Sequence, residues 1–257
     1  VNTNDFFYPE LKVEIGSYSF SQGVEVEVHS AASSYFDWAK IIFTEQLGEE
    51  VIINKLDEAI VKLGYNGAFE DVFKGYAKES INTLGGSQQN EIILKDDMLK
   101  LEKTIITNTF IDVAPREMIE HVLREADIQS FKLTNKTHQI KKVVPVFRMS
   151  AIDVIEEIHN LWGIQEAFFF ADKTFYWGDK PNQSTNYEFE YAVNIIDLNF
   201  ENGLWELQTV AAPLVRHSQE IRVVHPKTTG EFEVTKVIFS TTGNGFARSK
   251  IYFKGDV

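Results

Sequence analysis

The side chains best suited to acid–base or metal chemistry are six histidines: His29, His121, His138, His159, His217 and His225. None lies in an HExxH motif. His121 has Glu117 and Glu125 one helical turn away on either side, a spacing that could hold a metal. The same spacing describes a solvated helix face with i,i+4 partners, and that is the reading adopted. His159 falls in the last turn of a helix, where partial positive charge suits the dipole. His217 and His225 flank a strand and are expected at its exposed ends. Ser218 adjoins His217, but neighbours on a strand point to opposite faces, so no Ser–His relay is expected. No GxSxG elbow is present.

Carboxylates occur as the adjacent pairs Glu49-Glu50, Asp96-Asp97 and Glu156-Glu157. Glycoside hydrolysis needs two carboxyls facing each other about 5–10 Å apart across a cleft. Adjacent acids in loops or helices read instead as solvated charge. GNGFA, which starts at Gly243, lacks a third glycine and lies between strands rather than before a helix, so it is no phosphate loop. No EF-hand loop occurs. Phe168, Phe169, Phe170, Phe175, Tyr176 and Trp177 could form a stacking platform, yet no basic residues interleave them as nucleic acid would require. They are expected to be core. No catalytic, cofactor-binding or metal-binding residue is assigned, no cofactor is expected, and the chain is not expected to be an enzyme.

The elements that would position any such site dominate the chain. It has 257 residues, 44% hydrophobic and 25% charged, with 13% aromatic and 20 Phe. The formal net charge of −13 argues against a broad footprint on nucleic acid. There is no cysteine, which excludes disulfides and thiolate zinc sites. No apolar run reaches about 18 residues, so no membrane insertion is expected. The opening VNTNDFFYPEL lacks the basic and apolar regions of a signal peptide.

LKVEIGSYSF and VEVEVHS alternate with the period of half-buried strands, and Val24, Val26 and Val28 mark the apolar face. WAKIIFTE, EAIVKLGY and DVFKGYAKES continue the pattern, with a hairpin at Gly64, Asn66 and Gly67. Residues 84–90, LGGSQQN, are a loop by composition.

Two helices follow. Pro115 opens the first, with Met118, Ile119, Val122, Leu123 and Ala126 as its apolar stripe. Ser150 and Asp153 open the second as a capping-box variant. Its stripe is Ala151, Val154, Ile155, Ile158, Leu161 and Trp162, and Gly163 supplies the stop. The aromatic hairpin 168–177 turns at Ala-Asp-Lys. KPNQSTN, 180–186, reads as a linker. The strands AVNIIDLNFE, LWELQTVA, EIRVVHP, GEFEVTKVIFSTT and ARSKIYFKG complete the chain, with turns at Asn202-Gly203, Thr229-Gly230 and Gly243-Asn244-Gly245. Sliding the sequence by about 162 residues matches Glu58 with Glu220, Val61 with Val223, Asp71 with Glu233, Val72 with Val234 and Lys74 with Lys236, a weak internal repeat.

VAPREMIEHVLREADI, then VPVFRMSAIDVIEEIHNLWGIQEAFFFADKTFYWGD, resembles the hub proteins of phage tail baseplates. This is the late control protein D family, which includes the N-terminal hub of the type VI secretion spike. The carriers are Pro115-Arg116-Glu117, Arg148, Ser150, Gly163 and 168–178. Pro213, His225-Pro226, Gly230 and Val234 carry a further likeness to the family's last barrel. The resemblance covers 105–257 well and 10–80 loosely.

The resemblance implies an α+β, mostly β fold. Two tube-like antiparallel β-barrel domains, 1–108 and 181–257, would flank a helix-plus-hairpin domain, 109–180. It implies a structural role: a homotrimer whose six barrels join a hexameric tail tube to a trimeric spike. Implied partners are tail tube or distal tail proteins, a spike and a tape-measure protein, with DNA only as passing cargo. The location would be a virion tail assembled in the bacterial host cytoplasm. The chain is short for the family and shows no β-helical needle, so the spike is expected to be a separate polypeptide. Acidic residues lining a lumen would keep DNA from sticking. Two alternatives remain open: a tail-associated glycan hydrolase using a carboxylate pair, and a carbohydrate- or protein-binding module.

Overall fold

The computed structural model describes residues 9–34, 36–43, 51–82, 91–183, 185–242 and 246–255. Glu49-Glu50, the loop 84–90, Ser184 of the linker and the turn 243–245 lie outside them. Among the described residues, no helix is long and apolar enough to cross a membrane.

The first strands are β1 (Pro9–Ile15), β2 (Tyr18–Phe20), β3 (Val24–Ala31), β4 (Trp38–Phe43), β5 (Ile52–Ile53), β6 (Glu58–Tyr65), β7 (Ala68–Ala77), β8 (Ile81–Asn82) and β9 (Glu91–Lys95). Then come α1 (Met98–Lys103), β10 (Ile105–Val113), α2 (Pro115–Glu125), β11 (Phe131–Leu133), β12 (Lys141–Ser150), α3 (Ala151–Trp162), β13 (Phe168–Ala171) and β14 (Thr174–Trp177). The chain ends with β15 (Tyr187–Glu190), β16 (Ile195–Glu201), β17 (Leu204–Val210), β18 (Glu220–His225), β19 (Thr228–Thr241) and β20 (Ala247–Phe253). The fold is mostly β with antiparallel sheets, as expected. Two compact units result: 1–96 with 182–257, and 97–181.

In the first unit the strands of both chain ends share one sheet. Its order is β16-β17-β20-β19-β3-β4-β9-β7-β6-β1-β2, with β18 also on β19 and β15 on β18. The junction is β19 against β3, where Val28 faces Phe239. β15 to β18 is parallel; β15 was not anticipated because YEFE is short and follows a polar stretch. Val24, Val26 and Val28 are buried, and Glu25 and Glu27 half-exposed, as alternation requires. They belong to a core shared with Val61, Leu94, Leu207, Val237 and Phe253. Each fully buried Val, Leu or Ile contributes about 1.5–3 kcal/mol.

Local differences from expectation have local causes. LKVEIGSYSF is not one strand: Gly16, at φ 55°, turns it into the β1–β2 hairpin. Thr229-Gly230 lies inside β19, and the turn falls at Pro226-Lys227, between the paired residues His225 and Thr228. The Asn66-Gly67 and Asn202-Gly203 turns stand where expected, each with its Asn at φ 53°. Gly75 lets β7 pass close to β9, since a Cβ there would sit 2.1 Å from the Lys95 carbonyl oxygen. The linker residue Gln183 binds both the N–H and C=O of Glu220, each at 2.7 Å, extending the edge of β18 by side chain.

In the second unit β10 pairs with β12 along almost its whole length, from Ile105↔Ser150 to Val113↔Lys141. β11, β14 and β13 form a separate small sheet. The Glu117 carboxylate accepts the Ala114 N–H at 3.1 Å and closes the start of α2. Ser150 Oγ accepts the Asp153 N–H at 3.2 Å at the start of α3. Gly163, at φ 65°, ends α3. The stripe of α2 is buried as expected, and so are Ala151, Val154, Ile155 and Ile158 of α3. Leu161 is 38% exposed and Trp162 half-exposed, because the last turn leaves the packed face. α1 was missed; at six residues it is too short for periodicity to mark.

Candidate functional site

The histidines are dispersed, and five of the six lie against aromatic rings. His29 stacks on Trp38 at 4.0 Å beside Glu27. His121 meets Phe110 edge-on at 5.2 Å and lies 3.3 Å from the Asn108 amide, so it packs on β10 rather than standing in solvent with Glu117 and Glu125. His138 lies 6.0 Å from Trp177. His225 meets Tyr191 edge-on at 4.8 Å at the half-exposed end of β18.

His159 corrects a sequence expectation. It is no charged partner of the helix dipole: its Nε2 accepts the Trp177 indole N–H at 2.8 Å. Burial pushes its pKa down, which favours the neutral ring that such an acceptor requires. His217 corrects another. It is buried, at 3% exposure, rather than at an exposed strand end. Burial, with Arg216 beside it, lowers its pKa to about 4. It also touches Ser218, Nδ1 to Oγ at 3.0 Å. The strand rule failed because these residues precede β18 in a turn, with Ser218 at φ 63°. An imidazole with so low a pKa is a weak base toward a hydroxyl.

The carboxylate pairs differ from expectation as well. Asp96 and Asp97 are buried, not solvated. Asp96 Oδ2 accepts the Asp37 N–H at 2.9 Å, and Asp97 pairs with Lys100 at 3.2 Å. Glu156 and Glu157 are half-exposed on α3. Among the described residues, no three His, Cys, Asp or Glu side chains converge as a metal site requires. The aromatic hairpin is core: Phe168, Phe169, Phe170, Phe175, Tyr176 and Trp177 are all buried. In the sheet unit a cleft of about 580 Å³ is lined by β1 residues together with Gln22, Phe69 and Thr241.

What stands out instead is apolar surface. The β10–β12 ribbon buries Ile106, Phe110, Val144 and Val146 on one face. Its other face exposes Ile105 (60%), Ile111 (70%), Val143 (60%) and Phe147 (75%). Ile111 pairs with Val143, and Thr109 with Pro145 beside them. The register shifts between Ile106 and Asn108, and Arg148 takes φ 51° with its N–H on Thr107 Oγ1 at 3.1 Å. A non-glycine residue in that region is strained, and the bulge re-aims its neighbours. The sequence signal was the run VVPVF, apolar at five successive positions. A strand covered on one side only must leave half of such a run open.

No protein-family model matches the chain, and no curated protein sequence does. Solved structures do resemble it. The 43 kDa tail protein of prophage MuSo2 from Shewanella oneidensis superposes with TM-score 0.72 at 9% identity, covering 96% of this chain and 98% of that one. A tail protein from Neisseria meningitidis MC58 gives 0.68 at 10% identity, covering 97% of each. The E. coli c3393 protein gives 0.70 at 14% identity, covering 96% of this chain and 77% of its own. It is described as a type VI secretion component with structural similarity to the T4 tail proteins gp27 and gp5. The chain therefore has the fold of phage tail proteins, in line with its resemblance to baseplate hubs.

Proposed function

We propose that this chain is a structural component of a phage or phage-like tail, acting as a baseplate hub. The observation that carries the reading is the end-to-end likeness to two tail proteins and a type VI secretion component: at least 96% of the chain superposes on each of the three. Three copies would form a ring of six barrels joining a hexameric tube to a trimeric spike. A chain holding two similar barrels lets a trimer imitate a hexamer.

Strand order supports one such barrel. β15, β18, β19, β20, β17 and β16 follow as neighbours, and a short turn with an isolated bridge between Tyr191 and Ile195 leads from β15 into β16. The Lys227 ammonium donates to the Leu198 carbonyl of β16 at 2.6 Å. β3, β4, β9, β7, β6, β1 and β2 would supply the other barrel, with 97–181 as the intervening domain. Tube or distal tail proteins, a separate spike and a tape-measure protein are the partners in this reading, and DNA is passing cargo. The sheet unit holds 25 of the 38 acidic and 14 of the 25 basic residues, a net −11, which suits a surface that must not retain DNA. The location is the virion tail, after assembly in the host cytoplasm.

Cryo-microscopy of the intact particle tests the reading. Threefold density for this chain at the tube–baseplate junction is expected; its absence there would sink the proposal.

A further inference from the structure

Two hairpin turns repeat one dipeptide in one backbone shape. Asn66-Gly67 joins β6 to β7 between the paired residues Tyr65 and Ala68, and Asn202-Gly203 joins β16 to β17 between Glu201 and Leu204. Both asparagines stand at φ 53° and both glycines at φ 80°, the pair of positive values that marks a type I′ turn. Both dipeptides are exposed. A Cβ on either glycine would meet nothing within 4 Å, so steric access does not tell the two turns apart. The remaining Asn-Gly pair, 244–245, lies outside the described residues.

One hydrogen bond does separate them. The Gly67 N–H donates to Glu10 Oε1 at 2.9 Å. Glu10 reaches it from β1, where it stands opposite Gly64 of β6. Among the described residues, nothing accepts the Gly203 N–H.

An asparagine followed by glycine carries its own reactivity, because no side chain shields the glycine nitrogen from the neighbouring side-chain amide. Once that nitrogen has lost its proton to hydroxide, it attacks the asparagine Cγ. A new C–N bond closes a five-membered succinimide and the bond from Cγ to the side-chain nitrogen breaks. Ammonia leaves with a proton taken from water, which restores the hydroxide. Water then opens the ring at either carbonyl, giving aspartate or isoaspartate. The sum is one water consumed and one ammonia released, with no change of oxidation state. Loss of the N–H proton is the step a hydrogen bond controls. A carboxylate that accepts the bond stabilises the protonated nitrogen and repels the charge that would replace it.

We propose that Asn202 is a site of spontaneous deamidation, and that Glu10 shields Asn66 from the same reaction. Either product adds a negative charge at the end of β16, which stands at one end of the sheet order. Isoaspartate also adds one main-chain carbon to a two-residue loop whose length sets the register of β16 on β17. The proposal depends only on the two turns and is independent of the tail reading.

Incubation of the full chain in mildly alkaline buffer at physiological temperature tests both halves, with peptide mapping by mass spectrometry that separates aspartate from isoaspartate. Deamidation at Asn202 should run on the order of tenfold faster than at Asn66, the factor that a hydrogen bond to a charged acceptor is worth. Glu10→Ala should raise the rate at Asn66 toward that at Asn202 and leave Asn202 unchanged; Glu10→Ser serves if circular dichroism shows that alanine disturbs the fold. In urea the two rates should converge, because the dipeptide alone then decides. An unmodified Asn202, equal rates at the two sites in the folded chain, an Asn66 rate that ignores loss of the carboxylate, or a difference that persists in urea would each overturn the proposal.

Discussion

The indole N–H of Trp177 donates to Nε2 of His159 at 2.8 Å, and Trp177 is fully buried. The bond joins α3 to the aromatic hairpin through two residues that sequence reading assigned to unrelated roles. His159→Leu would keep an apolar contact with Phe168 but leave a buried donor without its acceptor. The expected cost is about 1–3 kcal/mol in urea unfolding. An unchanged midpoint would show that the bond contributes nothing.

His217 makes stability depend on pH. Its folded-state pKa, about 4, lies below the ordinary 6.5, so the folded state favours the neutral ring. The stability it contributes is fully present above pH 6.5 and is lost as pH falls from there toward 4. The linkage amounts to about 2 kcal/mol at pH 5 relative to neutral pH. The half-buried His159, also shifted down, adds in the same direction. His217→Gln should flatten the wild-type slope between neutral pH and pH 5; parallel slopes would refute the assignment.

Arg216 ties the strands of the two chain ends together. Its guanidinium donates to the Asp71 carbonyl of β7 at 2.6 Å, to the Val215 carbonyl at 3.0 Å and to that of Pro213. Arg216→Ala should cost about 2–4 kcal/mol, since hydrogen bonds from a charged donor are lost at half-buried carbonyls. Arg216→Lys should recover only part, because a point charge cannot serve diverging acceptors as a planar fork does. Full recovery by lysine would mean that charge alone matters.

Gly75 is predicted to be intolerant of any side chain. An alanine Cβ would meet the Lys95 carbonyl oxygen at 2.1 Å and the Phe73 ring at 2.7 Å. Gly75→Ala should destabilise by about 1–3 kcal/mol or more, as overpacking does. Thermal unfolding reads the effect, with Gly67→Ala as a control for positive φ without a clash. Equal losses in both variants would argue against the close approach.

Features set within a few residues were legible in the sequence. The apolar stripes of α2 and α3, the Ser150 cap, the Gly163 stop, the 168–177 hairpin and the Asn-Gly turns all follow from side-chain period and backbone preference. These depend on neighbours within one turn, so the sequence by itself determined them. The VVPVF run stands in the sequence too, but only the structure shows that one of its faces is open.

Tertiary structure decided everything that depends on residues far apart. β19 lies beside β3, and β15 runs parallel to β18, because long-range pairing is chosen by mutual burial and leaves no periodic mark in either segment. The roles of the histidines were hidden for the same reason. An imidazole is donor, acceptor, cation or flat packing surface according to its surroundings, and Trp177, Phe110 and Tyr191 reach their histidines only through the fold. Asp96 and Asp97 read as solvated charge until Asp37 and Lys100 supplied partners that make their burial possible. Local order is written in covalent neighbours; partnership across the sheet exists only once the chain has closed on itself.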